Sequence, residues 1–191
     1  MTRITIIDGH PSADRDHYCH ALAAAYRQGA EERHQVRQIT ISELDFTFVR
    51  DPEIWSAMEP EPDIAQAQND IAWADHVVFV YPLWLGDVPS LLKAFLEQVM
   101  RPGFAMEITA KAKWRPKLKG KSARIIVTMG MPAPIYRIFF RSHSVKSLKR
   151  NILHFVGIKP VRTTIIGRVD GFDGYRKRWL KRVEQLGRSA R

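Results

Sequence analysis

Five short apolar runs, each separated from the next by a helical pattern, constrain this chain more than any other feature. "RITIID" (3–8), "QVRQITI" (35–41), "HVVFVYP" (76–82), "SARIIVTMG" (122–130) and "PVRTTIIG" (160–167) read as strands. Helical spacing of apolar residues predicts helices over 16–30, 63–75, 89–100, 144–157 and 173–188. In 89–100, Leu91, Leu92, Phe95, Leu96 and Val99 make the buried stripe, and Pro89 suits a first helical turn. Gly29 and Gly157 stand where helices would end. Strands apolar on both faces that alternate with helices imply a parallel sheet covered on both sides. Five such units predict a doubly wound α/β sheet. The strand orders 2-1-3-4-5 and Rossmann-type are both open at this point. Either order places ligands beyond the carboxyl ends of the strands, beside strand one.

Composition narrows the classes. The chain of 191 residues has one cysteine, Cys19, so no intrachain disulfide can form. The longest apolar run, near 77–86, is far shorter than the roughly 20 residues of a membrane span. The N-terminal apolar run is too short for a secretory leader. The expectation is a soluble cytoplasmic protein without a metal site, forming one domain over 1–191 with a basic surface insertion around 107–121. Net charge is +10, concentrated in "KAKWRPKLKGK" (111–121) and "YRKRWLKRVEQLGRSAR" (175–191). That charge fits a plain solvated surface, an anionic cofactor or substrate, or peripheral contact with an anionic surface. Neither zinc-finger spacing nor an aromatic RNA-binding signature accompanies it, so no nucleic-acid partner is expected.

Three loops leave the strands that would be adjacent. The first, "GHPSADRDHYC" (9–19), has no GxGxxG, and the chain has no Walker A motif. It enters a helix N-terminus and carries His10, Arg15 and His17, a set suited to an anion. The plainer reading is a turn shaped by His10 and Asp14, with Asp14 or Asp16 as the helix cap. The second, "PLWLGD" (82–87), is apolar where turns are usually polar. A flat apolar ring lying on Trp84 and Leu85 would account for it; core packing or a dimer contact is the alternative. The third, "TMGMPAPIYR" (128–137), offers Gly130 for close backbone approach and the Tyr136 hydroxyl, or else is a rigid turn with a surface tyrosine.

With these stretches in view, the chain resembles the flavodoxin-fold NAD(P)H:quinone oxidoreductases, the modulator of drug activity B and mammalian quinone reductase type. The similarity is carried by "GHPSADRDHYCHAL", "YPLWLGDVPSLLKAFLEQV", "PGFA" (102–105), "TMGMPAPIY" and "NILHFVGI" (151–158). It implies a flavodoxin-like three-layer sandwich with a five-stranded parallel sheet in the order 2-1-3-4-5. It further implies FMN or FAD as cofactor, NADPH or NADH as electron donor, a small quinone-like acceptor and a homodimer. By position, His10, Arg15, His17, Tyr18 and Cys19 would surround the flavin phosphate. Pro82, Leu83, Trp84, Leu85 and Gly86 would line the ring with backbone N–H groups, and Thr128 and Gly130 would sit at its other edge. Phe104 and Tyr136 would form the substrate pocket. Tyr136 and His143 would act in catalysis, Tyr136 on the acceptor oxygen and His143 as a proton relay, although His143 also reads as a helix-cap histidine. A flavin-binding accessory subunit of an ion-efflux system, with little turnover, is the alternative function.

Overall fold

A computed structural model describes residues 1–51, 55, 59–109 and 113–190. Its elements are β1 (Arg3–Asp8), α1 (Tyr18–Glu31), β2 (Gln35–Thr40), α2 (Pro62–Trp73), β3 (His76–Pro82), α3 (Ser90–Val99), β4 (Met106–Ile108), β5 (Trp114–Pro116), β6 (Ser122–Thr128), α4 (Ala133–Ile138), α5 (His143–Ser147), β7 (Val161–Ile166) and α6 (Asp173–Arg188). The main sheet runs β2-β1-β3-β6-β7, all parallel, which is the order 2-1-3-4-5.

The central strand shows why the sheet is buried twice. Val77, Phe79 and Tyr81 of β3 face one core with Ile71 of α2 and Phe95 of α3. Val78 and Val80 face the other, with Leu22 and Tyr26 of α1 and Val183 of α6. Alternation of side chains along a strand makes both layers out of one apolar run. On the second face, α1 and α6 pack backbone to backbone. A Cβ on Gly29 would lie 2.0 Å from the Glu184 carbonyl oxygen, and one on Gly187 would lie 2.1 Å from that of Tyr26. Gly29 thus lies near the end of α1, as the sequence suggested, and serves there as a helix-crossing residue.

Three further expectations change. The helix read over 144–157 begins as α5 and widens over Leu148–Leu153, where His154 N–H donates to the Lys149 carbonyl five residues back at 2.9 Å. Gly157, at φ +102°, closes that segment as expected. The stretch after β6, read as a loop, contains α4. The basic segment around 107–121, read only as a surface insertion, contains strand β5, which pairs with β4 in an antiparallel hairpin; residues 110–112 lie outside the described ones. Arg115 pairs with Glu107 at 3.2 Å, and Lys121 Nζ donates to the carbonyls of Ala72 and Ala74 at 2.7 and 2.5 Å. Tied down in this way, those cations are directed to the protein itself. Among the described residues no helix is long and apolar enough to cross a membrane.

Candidate functional site

The strand order sets the loops after β1, β3 and β6 side by side, and backbone bonds stitch their starts across the sheet. Gly9 N–H donates to the Val80 carbonyl at 2.7 Å, Leu83 N–H to Thr128 at 2.7 Å, and Met129 N–H to Ile166 at 2.9 Å. Each loop therefore leaves a fixed platform at the carboxyl edge.

The first loop is wound by side chains that hold the N–H two residues on. His10 Nδ1 accepts from Ser12 N–H at 3.1 Å, Ser12 Oγ from Asp14 at 3.1 Å, and Asp14 Oδ1 from Asp16 at 3.1 Å. Asp14 so shapes the turn, and neither it nor Asp16 caps the helix. The N-cap position belongs to His17, which makes no side-chain cap bond; His20 N–H donates to the His17 carbonyl at 3.0 Å, and the N–H groups of Tyr18 and Cys19 have no side-chain acceptor at the cap. The His17 ring stacks on His10 with centroids 4.1 Å apart, and Trp84 meets His10 edge-on at 5.7 Å. Burial, helped by His17 and His20, lowers the His10 pKa. With Nδ1 accepting from Ser12, the neutral ring keeps an Nε2–H donor.

Beneath this loop lies a buried pair that sequence reading passed over. His20 Nδ1 stands 2.6 Å from Asp8 Oδ2, and His20 Nε2 lies 3.0 Å from the Ser12 carbonyl. Both partners only accept, so both bonds form together when both ring nitrogens carry protons. The signal was present as a carboxylate at the end of β1 and a histidine one turn into α1, but only the fold brings them together. Three imidazoles meet here, yet among the described residues no group of three His, Cys, Asp or Glu side chains is placed to hold a metal ion.

The second loop is a tight turn closed by Trp84 N–H to Asp87 at 3.0 Å and Asp87 N–H to Trp84 at 2.9 Å. Its central residues, Leu85 and Gly86, have φ +47° and +81°, the signature of a type I′ turn. A leucine in the left-handed region is strained, and this one is fully exposed, while Trp84 is 48% exposed. Neither side chain is core. The Leu83 and Trp84 N–H groups are engaged within the protein, which leaves those of Leu85 and Gly86 for a ligand. Pro82 ends β3 at the foot of the turn.

The remaining residues are placed as follows. Cys19 Sγ and Thr128 Oγ1 lie 3.2 Å apart in the core, and burial pushes the thiol up to about 12, so Cys19 offers only its backbone to an anion. Arg15 pairs with Glu43 at the surface on the β2 side. The Tyr18 hydroxyl donates to the Arg176 carbonyl at 2.9 Å, and desolvation pushes its pKa up to about 12. Gly130 allows a close approach, but the group that uses it here is the Asp170 carboxylate, 2.6 Å from where a Cβ would stand. Phe104 is partly buried against the larger core. Tyr136 is 2% exposed; its hydroxyl meets Ser144 Oγ at 2.6 Å and accepts from Val145 N–H at 3.3 Å. It is turned into the protein, with no free hydroxyl on the open side. His143 is exposed at the start of α5 and lines a cleft of about 580 Å³ together with Gly86 and Asp87. The structure thus gathers His10, His17, Trp84 and the α1 N-terminus, brings Gly86 to His143, and sets Arg15, Tyr18 and Tyr136 to other tasks.

A family model described as flavodoxin-like fold matches residues 2–186. The chain belongs to that flavodoxin-like fold family. Among its flavodoxin-like relatives, an uncharacterised NAD(P)H oxidoreductase of Escherichia coli (strain K12) is 24% identical over 90% of this chain and 87% of its own. The FMN-dependent NADH:quinone oxidoreductase 1 of Pseudomonas fluorescens (strain Pf0-1) is 28% identical over 68% and 69%. An uncharacterised NAD(P)H oxidoreductase of Haemophilus influenzae is 30% identical, and the match spans 55% of that protein's length. The solved NAD(P)H:quinone oxidoreductase of Methanothermobacter marburgensis superposes with TM-score 0.85 over 100% of this chain and 99% of its own at 23% identity, a likeness of fold.

Proposed function

We propose that this chain is a flavin-dependent oxidoreductase that passes hydride from NADPH or NADH to a quinone or a similar small aromatic acceptor. One observation carries the reading: Trp84 and Leu85 stand exposed on a strained, otherwise well-bonded turn, beside a helix N-terminus whose cap position supplies no side-chain acceptor. An apolar flat face next to uncommitted N–H donors fits a ring with a phosphate tail. The printed functions of relatives support it, since they include FMN-dependent quinone oxidoreductases of two pseudomonads. They also favour an enzyme over a turnover-poor accessory subunit.

The flavin, when bound, supplies the two-electron chemistry through its N5 position. The protein's part is placement. The α1 first turn, with His17 and the His10 Nε2–H, holds the phosphate, and the buried Asp8–His20 pair fixes the loop from below. Trp84 and Leu85 would hold the ring and exclude water, and the Leu85 and Gly86 N–H groups would be its hydrogen-bond donors. Tyr136 acts as a positioning residue that ties α4 to α5 through Ser144, and exposed His143 is the side chain free to exchange a proton with an acceptor. Phe104 and a second subunit would complete the pocket. FMN and FAD share the ring and first phosphate to which these residues are assigned.

The test is direct. Purified protein, titrated with FMN and with FAD, is expected to quench flavin fluorescence and then to oxidise NADPH or NADH in the presence of a small naphthoquinone. Protein that takes up neither flavin refutes the reading.

A further inference from the structure

The cleft of about 580 Å³ beside the tight turn is bounded by Gly86 and Asp87 on one side and by residues 141–151 on the other. Three of its lining residues, Arg141, Lys146 and Arg150, are cations. Some arginines elsewhere are neutralised, Arg3 by Asp75, Arg27 by Glu31, Arg37 by Asp70 and Arg188 by Glu32. Among the described residues no carboxylate pairs with Arg141, Lys146 or Arg150. Asp87, the one acidic residue lining the cleft, spends a carboxylate oxygen on the Val88 N–H at 2.8 Å. The backbone there is unusual as well. Arg141 and Ser142 are consecutive non-glycine residues at φ +49° and +51°, held by Ser142 N–H donating to the Tyr136 carbonyl at 3.0 Å. Three uncompensated cations lining one cleft repel one another, and a multiply charged anion relieves that repulsion with charge-assisted hydrogen bonds.

We propose that this cleft is a phosphate site for the reductant, in which Arg141, Lys146 and Arg150 bind the pyrophosphate of NAD(P)H while its nicotinamide reaches the ring face beside Leu85. The assignment rests on the oxidoreductase reading above. It follows from position, because the cleft shares Gly86 with the turn that would cover the flavin, and from chemistry, because a quinone carries no charge that needs three cations. It also accounts for the fixed backbone at Arg141, since a flexible arginine would lose more freedom on binding.

The experiment compares two donors with the same reacting ring: NADPH and reduced nicotinamide riboside, which lacks phosphate. In the double variant Arg141→Gln/Arg150→Gln, the ratio of KM for NADPH to KM for the riboside is expected to rise at least tenfold, with Lys146→Gln giving a smaller rise. Inorganic pyrophosphate is expected to compete with NADPH and, in calorimetric titration, to bind the unaltered protein more tightly than the double variant. Arg182→Gln on α6 serves as the charge control and leaves the ratio unchanged. Circular dichroism of each variant guards against misfolding. A ratio that stays constant in an active flavoprotein, or pyrophosphate binding indifferent to the substitutions, overturns the phosphate site and leaves the oxidoreductase reading standing. Protein that binds flavin and oxidises neither donor overturns that reading, and this assignment with it.

Discussion

At Leu85 the chain holds a large apolar side chain in a left-handed conformation and in full solvent. That backbone costs about 1 kcal/mol relative to glycine and contributes no packing in return. The expense is explained if the side chain meets a ligand. Replacing Leu85 by Gly is therefore expected to weaken flavin binding about tenfold while leaving the thermal midpoint of flavin-free protein unchanged or higher; a lower midpoint would show that Leu85 serves the fold. His76, at the start of β3, gives a second residue-scale test. It is 3% exposed, Nδ1 lies 2.8 Å from Ser122 Oγ, and Nε2 has no partner among the described residues. Burial, then the charges of Arg124, Arg162 and His34, lowers its pKa to about 4. Between about pH 4 and the ordinary 6.5, the unfolded chain binds the proton and the folded one does not. The stabilisation is thus fully present above about 6.5 and is lost as pH falls toward 4, amounting to about 3 kcal/mol. Urea unfolding across that range should show the slope, and His76→Gln should flatten it.

Among the elements, α1 is the most constrained, because it serves the loop at one end and α6 along its side. The crossing with α6 depends on two glycines that face backbone, not flexible side chains. Gly29→Ala or Gly187→Ala would have to push the helices apart, at an expected cost of about 1–3 kcal/mol measured by denaturant titration. A neutral or stabilising result would mean that helix propensity outweighs the close approach. The same pair shows where local reading stops. Gly29 sits near the end of an apolar pattern and so resembles a cap; its actual function depends on Glu184, far along the chain. The helix α4 and the widened turn after Ser147 were hidden for a related reason: Pro132, Pro134 and an apolar run without clear period give no local signal for six helical residues.

For the whole molecule, the strands, their order and the meeting of three loops were legible in the sequence. Burial on both faces is written as a continuous apolar run, and a parallel sheet then leaves few ways to connect such runs. The choice between the two candidate strand orders followed from the family resemblance, and the sheet bears it out. Charge was legible as a total of +10 and as two basic stretches, 111–121 and 175–191. Which of those charges are paired was not: the basic 107–121 segment turned out to be partly paired and bonded to carbonyls, while Arg141, Lys146 and Arg150 line one cleft beside the tight turn without a carboxylate partner among the described residues. Much the same holds at the site. His10, His17 and Trp84 were singled out from the residue types at the carboxyl edge, and Gly86 from the family resemblance. The Asp8–His20 pair, the Asp170 carboxylate over Gly130 and the inward turn of Tyr136 were not. The sequence by itself determined which segments must be buried and in what layers, because hydrophobic periodicity is a local property. Only the tertiary structure decided what each polar group faces, because a hydrogen bond is settled by whichever partner the fold brings within about 3 Å, and that partner is often remote in sequence.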